Sequence, residues 1–267
     1  MNIFDKTSHG IDYFIKYLNL TWKITCKNRF HNKYRYVPNY ISESFQFEKM
    51  GGVISKYFPI LNEKYAQAGA ANGHYFHQDL LVAQFVFQSN PMRHIDVGSR
   101  IDGFVAHVAS YRPIEVLDVR KLNPVGHQNI SFLQANLMDS GSVDEQCADS
   151  ISCLHAIEHF GLGRYGDPLD PQGHIKGFQN LLRMLKPNGM LYISFPIGTT
   201  NEVHFNAHRI FNPLDILSWP TPQCKLQLER FDYVDDQGDL HQNQNPNNAD
   251  ILPKYGCGIY SLRKLAQ

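Results

Sequence analysis

Residues His155 to Asp170 of this 267-residue chain read HAIEHFGLGRYGDPLD, the densest run of reactive side chains in the sequence. Histidine titrates near neutral pH, so His155 and His159 can both exchange protons there, and Glu158 stands where it can orient or charge a neighbour. If His155 to His159 begin a helix, the two histidines lie four apart on one face. The same string matches the inverted zinc-hydrolase pattern H-x-x-E-H. That pattern needs a long helix, a distant third ligand and an open metal position. Here it follows a strand-like apolar run and precedes a glycine-rich loop, so no metal site is expected from it. In the loop, Arg164, Tyr165, Asp167 and Asp170 offer groups suited to sugar hydroxyls, and the two aspartates can also hold a divalent cation. The alternative for the whole cluster is a set of satisfied polar residues in a turn built on Gly and Asp-Pro. Farther on, the Asn206-Ala207-His208-Arg209 string either closes over a ligand or serves the fold.

A second constellation lies upstream. His94-Ile95-Asp96-Val97-Gly98-Ser99 reads as a strand ending in a tight turn, where a residue without Cβ lets backbone approach a ligand. Ser99 or Asp102 can cap the helix after that turn. A further apolar run ends at Asp118-Val119, 22 residues after Asp96. An acid at that place can accept hydrogen bonds from both ribose hydroxyls of an adenosine; helix capping or exposure to solvent is the alternative. After the next run, Asn136 offers a donor and an acceptor to an adenine edge, and Leu137 can pack on the ring. A nicotinamide site is disfavoured, because Gly98-Ser99-Arg100 lacks the second glycine of G-x-G-x-x-G.

These residues need a scaffold that brings strand ends together. From Arg93 the sequence alternates short apolar runs (HIDVG, PIEVLDV, NISFLQA, ADSISCL, MLYISFP) with helical texture and loops, the pattern of a mostly parallel sheet covered on both faces. A helix over about Ile175 to Leu185 is broken by Lys186-Pro187-Asn188-Gly189 before a strand beginning at Met190. LQLERFDYV and GCGIYSL read as late strands, and the polar stretch DDQGDLHQNQNPNNAD between them as a mobile loop. Upstream, His77 to Phe87 reads as an apolar-faced helix ended by Ser89-Asn90-Pro91. The boundaries expected are a helical N-terminal extension, residues 1–90, and a core domain, residues 91–267. Residues 1 to 50 are aromatic and basic: either a solvated helical face or a contact surface for an anionic carrier, lipid or partner.

Composition narrows the class. With 43% hydrophobic residues the chain can bury a sizeable core, and 25 basic against 25 acidic residues leave no net charge to attract nucleic acid. Five scattered cysteines without a Cys-x-x-Cys pair read as reduced thiols in a cytoplasmic protein. The first residues lack the pattern of a secretion signal, and no apolar run is long enough for a transmembrane segment.

The series HIDVG, EVLDV, LQANL, ADSISCLHAIEH and FQNLLRMLKPNGMLYISFP is similar to class I S-adenosylmethionine-dependent methyltransferases. The strings GSRIDGFVAHVAS, LHAIEHFGLGRYGDPLDP and FNAHRIFNP resemble more specifically a bacterial family catalogued as domain of unknown function 268, over Gly73 to the C-terminus. The resemblance implies a Rossmann-like, doubly wound α/β fold with a late antiparallel strand. It also implies S-adenosylmethionine as cofactor, held by Asp96, Gly98, Ser99, Asp118, Val119, Asn136, Leu137 and His155. His159 becomes the expected base for O-methylation of a sugar or surface-glycan precursor, with His155 and Glu158 beside it. Arg164, Tyr165, Asp167, His208 and Arg209 face the small-molecule or glycan acceptor. Peripheral association with polysaccharide assembly machinery is a further implication. One departure stands out: the family's glycines two, four and six residues after the acid are here Gly98, Arg100 and Asp102, with Gly103 one step late. A non-methylating glycan-assembly or scaffold protein that kept the fold is therefore the second reading.

Overall fold

The computed structural model describes residues 35–124, 126–220, 224–248 and 253–266. The chain divides into two compact units, Met1–Ala70 and Ala71–Gln267. In the first, helix α1 (Val37–Lys49) buries Val37 and Ile41 against Leu61. Most of the basic, aromatic N-terminal stretch, residues 1–34, lies outside the described residues.

The second unit opens with α2 (His74–Ser89), which ends where Asn90 turns left-handed before Pro91. The expectation assigned this helix to the N-terminal extension. It packs its Val82 and Val86 with the sheet's own Val116 and Ile259, within the second unit. The strands are β1 (His94–Val97), β2 (Ile114–Asp118), β3 (Ile130–Gln134), β4 (Ala148–Leu154) and β5 (Leu185–Ile197). The short β6 (Glu202–His204) and β7 (His208–Ile210) form a separate hairpin. The last three are β8 (Leu226–Val234), β9 (Leu240–His241) and β10 (Gly256–Lys264). Helix α3 (Ala106–Ala109) continues a π turn, Ile101–Val105, after β1, and α4 (Gly173–Met184) precedes β5.

The main sheet runs β3-β2-β1-β4-β5-β10-β8-β9. Its first five strands are parallel, and β10 inserts antiparallel between β5 and β8. This is the mostly parallel α/β sheet with a late antiparallel strand that the sequence implies. Strand order reverses between β1 and β4, where open α/β sheets take ligands. The Lys186–Gly189 break appears as a bulge: Ala148 pairs with Leu185, the register slips, and Ser150 pairs with Met190.

One apolar cluster covers each face: Ile95, Val97 and Ile151 with Phe178 and Leu181 of α4 on one side, Val82, Phe104 and Val116 on the other. The second face holds a polar seam where β1 meets β4. His94 bonds Ser150 Oγ at 2.9 Å and Ser152 Oγ at 3.2 Å, and Ser152 donates to Asp96 at 2.5 Å. In the stretch expected to be mobile, which is described to Asn248, a β8–β9 hairpin turns at Asp235–Asp239: Asp235 accepts from Gln237 and Asp239 N–H, and beyond it Gln244 N–H donates to the Phe231 carbonyl. Short aspartate side chains satisfy the turn's own backbone, which a count of polar residues does not show.

Candidate active site

A cleft opens at the carboxyl ends of β1, β2 and β4. Its walls include Val97, Gly98, Leu117, Asp118, Val119, Asn136, Leu137, His155, His159, Tyr165 and Asp167, so residues expected to hold cofactor and acceptor meet in one depression. Gly98 has φ 70°, and a Cβ there would stand 2.9 Å from that of Ala156. Both the left-handed backbone and the close approach of the β4 exit require glycine.

Asp96 and Ser99 lie behind this wall and do not line it. Asp96 is fully buried and accepts from Ser99 Oγ at 2.6 Å and Ser99 N–H at 3.1 Å. Ser99 Oγ in turn accepts Leu154 N–H at 3.1 Å, tying the turn to β4. Burial raises the Asp96 pKa to about 7 against these bonds, while burial drops the His94 imidazole of the same seam to about 3. Both residues hold the cradle's shape. The departures from the glycine pattern also stay out of the wall: Arg100 and Asp102 pair with each other at 3.0 Å on the surface. Gly103 meets the buried Asp79 carboxylate of α2, where a Cβ would collide.

Asp118 is in the cleft but already held. Arg120 reaches its Oδ1 through Nε at 3.0 Å and its Oδ2 through Nη2 at 2.6 Å, and its backbone N–H donates at 2.8 Å. The guanidinium also lies 4.3 Å from the centre of the Tyr165 ring. A carboxylate has about four acceptor sites, so a ribose must share Asp118 with Arg120 or displace it. Asn136 Oδ1 accepts Met138 N–H at 3.1 Å, shaping the turn that presents Leu137.

The exit of β4 is built from buried charge. The expected helix from His155 is absent: His155 takes φ 49°, and only a 3-10 turn, Ile157–His159, follows. Glu158 nevertheless meets both histidines, at 2.8 Å from His155 Nδ1 and 3.5 Å from His159 Nε2. Burial raises the Glu158 pKa, but the two imidazoles outweigh it and hold the carboxyl below its usual range. Burial likewise opposes charge on His155, yet Cys257 and Glu158 push it well above the ordinary value. For His159, burial dominates and lowers the pKa despite Glu158. His159 Nδ1 stands 2.6 Å from the Ala207 carbonyl, which only accepts, so Nδ1 carries the proton and Nε2 is the titrating nitrogen.

The surrounding loop divides into rim and frame. Tyr165 packs edge-on to His159 at 5.4 Å, and Arg164 donates to the Ala207 carbonyl at 2.9 Å. Asp167 lines the cleft but spends its carboxylate on Gly161, Gly163 and Tyr165 N–H groups. Arg209 does not reach the cleft: buried to 4% exposure, it donates to the carbonyls of Phe160, Glu158 and Pro171. The His208 ring lies tilted against those of Tyr255 and His204 and is also outside the wall. Sequence reading missed Arg120, whose signal was its place two residues after Asp118, the spacing of an Asx turn. It also missed His74, Gln78 and Cys257 around His155, for which local sequence carried no signal.

The family described as "Caenorhabditis protein of unknown function, DUF268" matches residues 127–218, about a third of the chain. The number agrees with the resemblance, but the expectation of a bacterial family is corrected by that description. No curated protein matches the sequence. Among solved structures, the [4+2]-cyclase SpnF is 11% identical with a TM-score of 0.52, covering 88% of this chain and 97% of that one. A candidate sarcosine dimethylglycine methyltransferase from Galdieria sulphuraria is 15% identical with a TM-score of 0.51, covering 84% and 98%. A third match is 1,6-didemethyltoxoflavin-N1-methyltransferase from Burkholderia thailandensis, solved with S-adenosylhomocysteine. It is 11% identical, TM-score 0.47, covering 90% and 93%. The chain therefore has the class I methyltransferase fold. No helix among the described residues is long and apolar enough to cross a membrane.

Proposed function

We propose that the chain is an S-adenosylmethionine-dependent methyltransferase acting on a hydroxyl of a sugar or glycan precursor, in the cytoplasm. The observation that carries this reading is one cleft in which Gly98 and Asp118 face His159 across the strand-order switch. The wall fits the cofactor: Gly98 leaves room that a Cβ would fill, Asp118 supplies acceptors for ribose hydroxyls, and Val97, Leu117 and Leu137 give an apolar surface for adenine. S-adenosylmethionine, when bound, supplies an electrophilic methyl group.

The chain's own residues then account for the rest. Gly98 would let backbone approach the cofactor, Asp118 would share its carboxylate with Arg120 or release it to hold the ribose, and Asn136 with Leu137 would border the base. His155 carries its partner Glu158 and closes the wall toward β4. His159 donates Nδ1–H to Ala207, so Nε2 is free to take the acceptor's hydroxyl proton, and Glu158 3.5 Å away stabilises the imidazolium formed. Arg164 and Tyr165 at the rim suit a polyhydroxylated acceptor. The glycan assignment, and any peripheral contact with glycan-assembly machinery, rests on the resemblance and on this rim.

Calorimetry of the full chain with S-adenosylmethionine and S-adenosylhomocysteine tests the cofactor. Micromolar binding supports it, and no heat at millimolar ligand with folded protein overturns it. Release of S-adenosylhomocysteine across sugar, nucleotide-sugar and non-sugar acceptors tests the substrate; turnover confined to non-sugar compounds removes the glycan assignment. A second reading is a fold relative without methyl transfer. The Asp118–Arg120 pair favours it, and a structure named as a [4+2]-cyclase shares the fold. Cofactor binding without turnover on any acceptor would select it.

A further inference from the structure

Three side chains from distant parts of the sequence converge beside the β4 exit. His74 is the first residue of α2, His155 follows β4 directly, and Cys257 lies in β10. One ligand atom from each lies within 4.8 Å of the other two. We propose that His74, His155 and Cys257 bind one zinc-type divalent ion, leaving a fourth position for water or an oxygen ligand. The proposal does not rest on the methyltransferase reading.

The orientation of His155 is the first support. Its Nδ1 meets Glu158 Oε1 at 2.8 Å, while its Nε2 is buried and has no partner among the described residues. A carboxylate on one imidazole nitrogen and a metal on the other is the usual outer-shell arrangement of a metal-bound histidine. The residue is buried and held at φ 49° by N–H bonds to Ser194, a left-handed backbone of the kind that collects at ligand sites. The imidazole spacing is the second support. The His74 and His155 rings are stacked, 9° from parallel, with centres 5.2 Å apart, so the spacing is right and a ring rotation brings both nitrogens onto one ion. Two imidazoles on one tetrahedral ion, with bonds of 2.0–2.1 Å, place their centres about 5 Å apart. Ligand atoms on such an ion are separated by roughly 3.3–3.7 Å, so atoms now within 4.8 Å of one another must close by up to about 1.5 Å on binding.

Cys257 is the third support. It is fully buried beside His155, and its thiol donates to Gln78 Oε1 at 3.6 Å and to the Gly258 carbonyl at 3.7 Å. Metal binding replaces the S–H bond by a metal–thiolate bond and releases that proton to solvent; a proton on His155 Nε2 leaves the same way. Two imidazoles and one thiolate suit zinc and its neighbours better than magnesium or calcium. The rings of Tyr75 and Tyr255, 5.0 Å from His155 and 5.5 Å from His74, flank the site. This ligand set differs from the H-x-x-E-H reading, because His74 and Cys257, and not His159, stand beside His155 with their ligand atoms.

The test uses the untagged full chain under reducing conditions, titrated with zinc against a chromophoric chelator and with cobalt for its thiolate charge-transfer absorption. One equivalent bound, with that absorption band, is expected. C257S should abolish the band, H74Q should weaken zinc binding about 10–100-fold, E158Q should weaken it while keeping the band, and H159Q should leave it unchanged. Circular dichroism checks each variant's fold; if C257S does not fold, H74Q at the part-exposed position decides. No stoichiometric zinc on the folded wild-type chain overturns the proposal. So does binding lost in H159Q but kept in H74Q and C257S.

Discussion

The two sides of the cleft are built on opposite principles. On the side of β1 to β3, recognition groups are held by short local bonds near solvent: Asp118 by Arg120 two residues on, Asn136 by Met138 two residues on. On the β4 side, Glu158 is 1% exposed and links His155 and His159, while Arg209 from β7 ties down the same turn through its carbonyls. Local, exposed pairs contribute little to stability and can exchange partners when a ligand arrives. Buried, interlocked charge cannot lose one member without leaving another unpaired. The first side can exchange partners and the second is a fixed frame; the proposed function uses them for binding and for chemistry respectively.

The largest expected effect breaks the frame. Glu158→Ala leaves two imidazoles facing an empty buried site and should cost about 3–5 kcal/mol in denaturant unfolding; a loss below about 1 kcal/mol would show that the charges are not interlocked. His159→Ala, by contrast, removes only the proposed base. It should slow methyl transfer about 10²–10⁴-fold while cofactor affinity stays within about twofold. Because burial lowers the His159 pKa, the base stays deprotonated below its ordinary pKa of about 6.5. Turnover should therefore hold its plateau to a pH below that value and fall only under it; a limb centred above it would point to another base.

On the binding side, Asp118→Ala should weaken S-adenosylhomocysteine about 10–100-fold, with stability changed by under about 1 kcal/mol. Arg120→Ala should act the other way and tighten binding several-fold, since it frees the carboxylate. Weaker binding in Arg120→Ala would make the guanidinium a ligand of the cofactor instead of its competitor. Both are read by calorimetry.

A further effect concerns the seam under the cradle. Asp96 binds its proton more tightly folded, with a pKa near 7, than unfolded, near 3.8, so its contribution to stability is lost as pH rises through that window. His94, lowered to about 3, works in the opposite sense, and stability falls as pH drops below the unfolded value. The two partly cancel between about pH 4 and 6.5. Asp96→Asn should remove one partner of this balance, so that Tm rises more steeply with pH over that range. An unchanged profile would mean that Asp96 is ionised throughout.

Much of the scaffold was written in local pattern. Each apolar run from HIDVG to GCGIYSL became a strand, β4 and β8 over the residues read for them, because β-rich runs bounded by turn residues leave the backbone few other choices. The site was legible where function depends on a residue at a strand's end: Gly98, Asp118, Asn136 and His159 reach one cleft because parallel strands bring their carboxyl ends together. It was not legible where role depends on what lies opposite. Asp96 and Ser99 turned inward to the β4 serines and backbone, and Arg209 went to backbone carbonyls.

The sequence by itself determined strand order along the chain, the glycine turn and the kinds of side chain available at each strand end, since these follow from spacing and backbone preference. Only the tertiary structure decided which acids face the cleft, that Glu158 lies between two histidines without a helix, and that His74, His155 and Cys257 meet. Those outcomes rest on contacts between residues up to 183 positions apart, set by crossovers and by β10 entering between β5 and β8, which no local window of sequence contains.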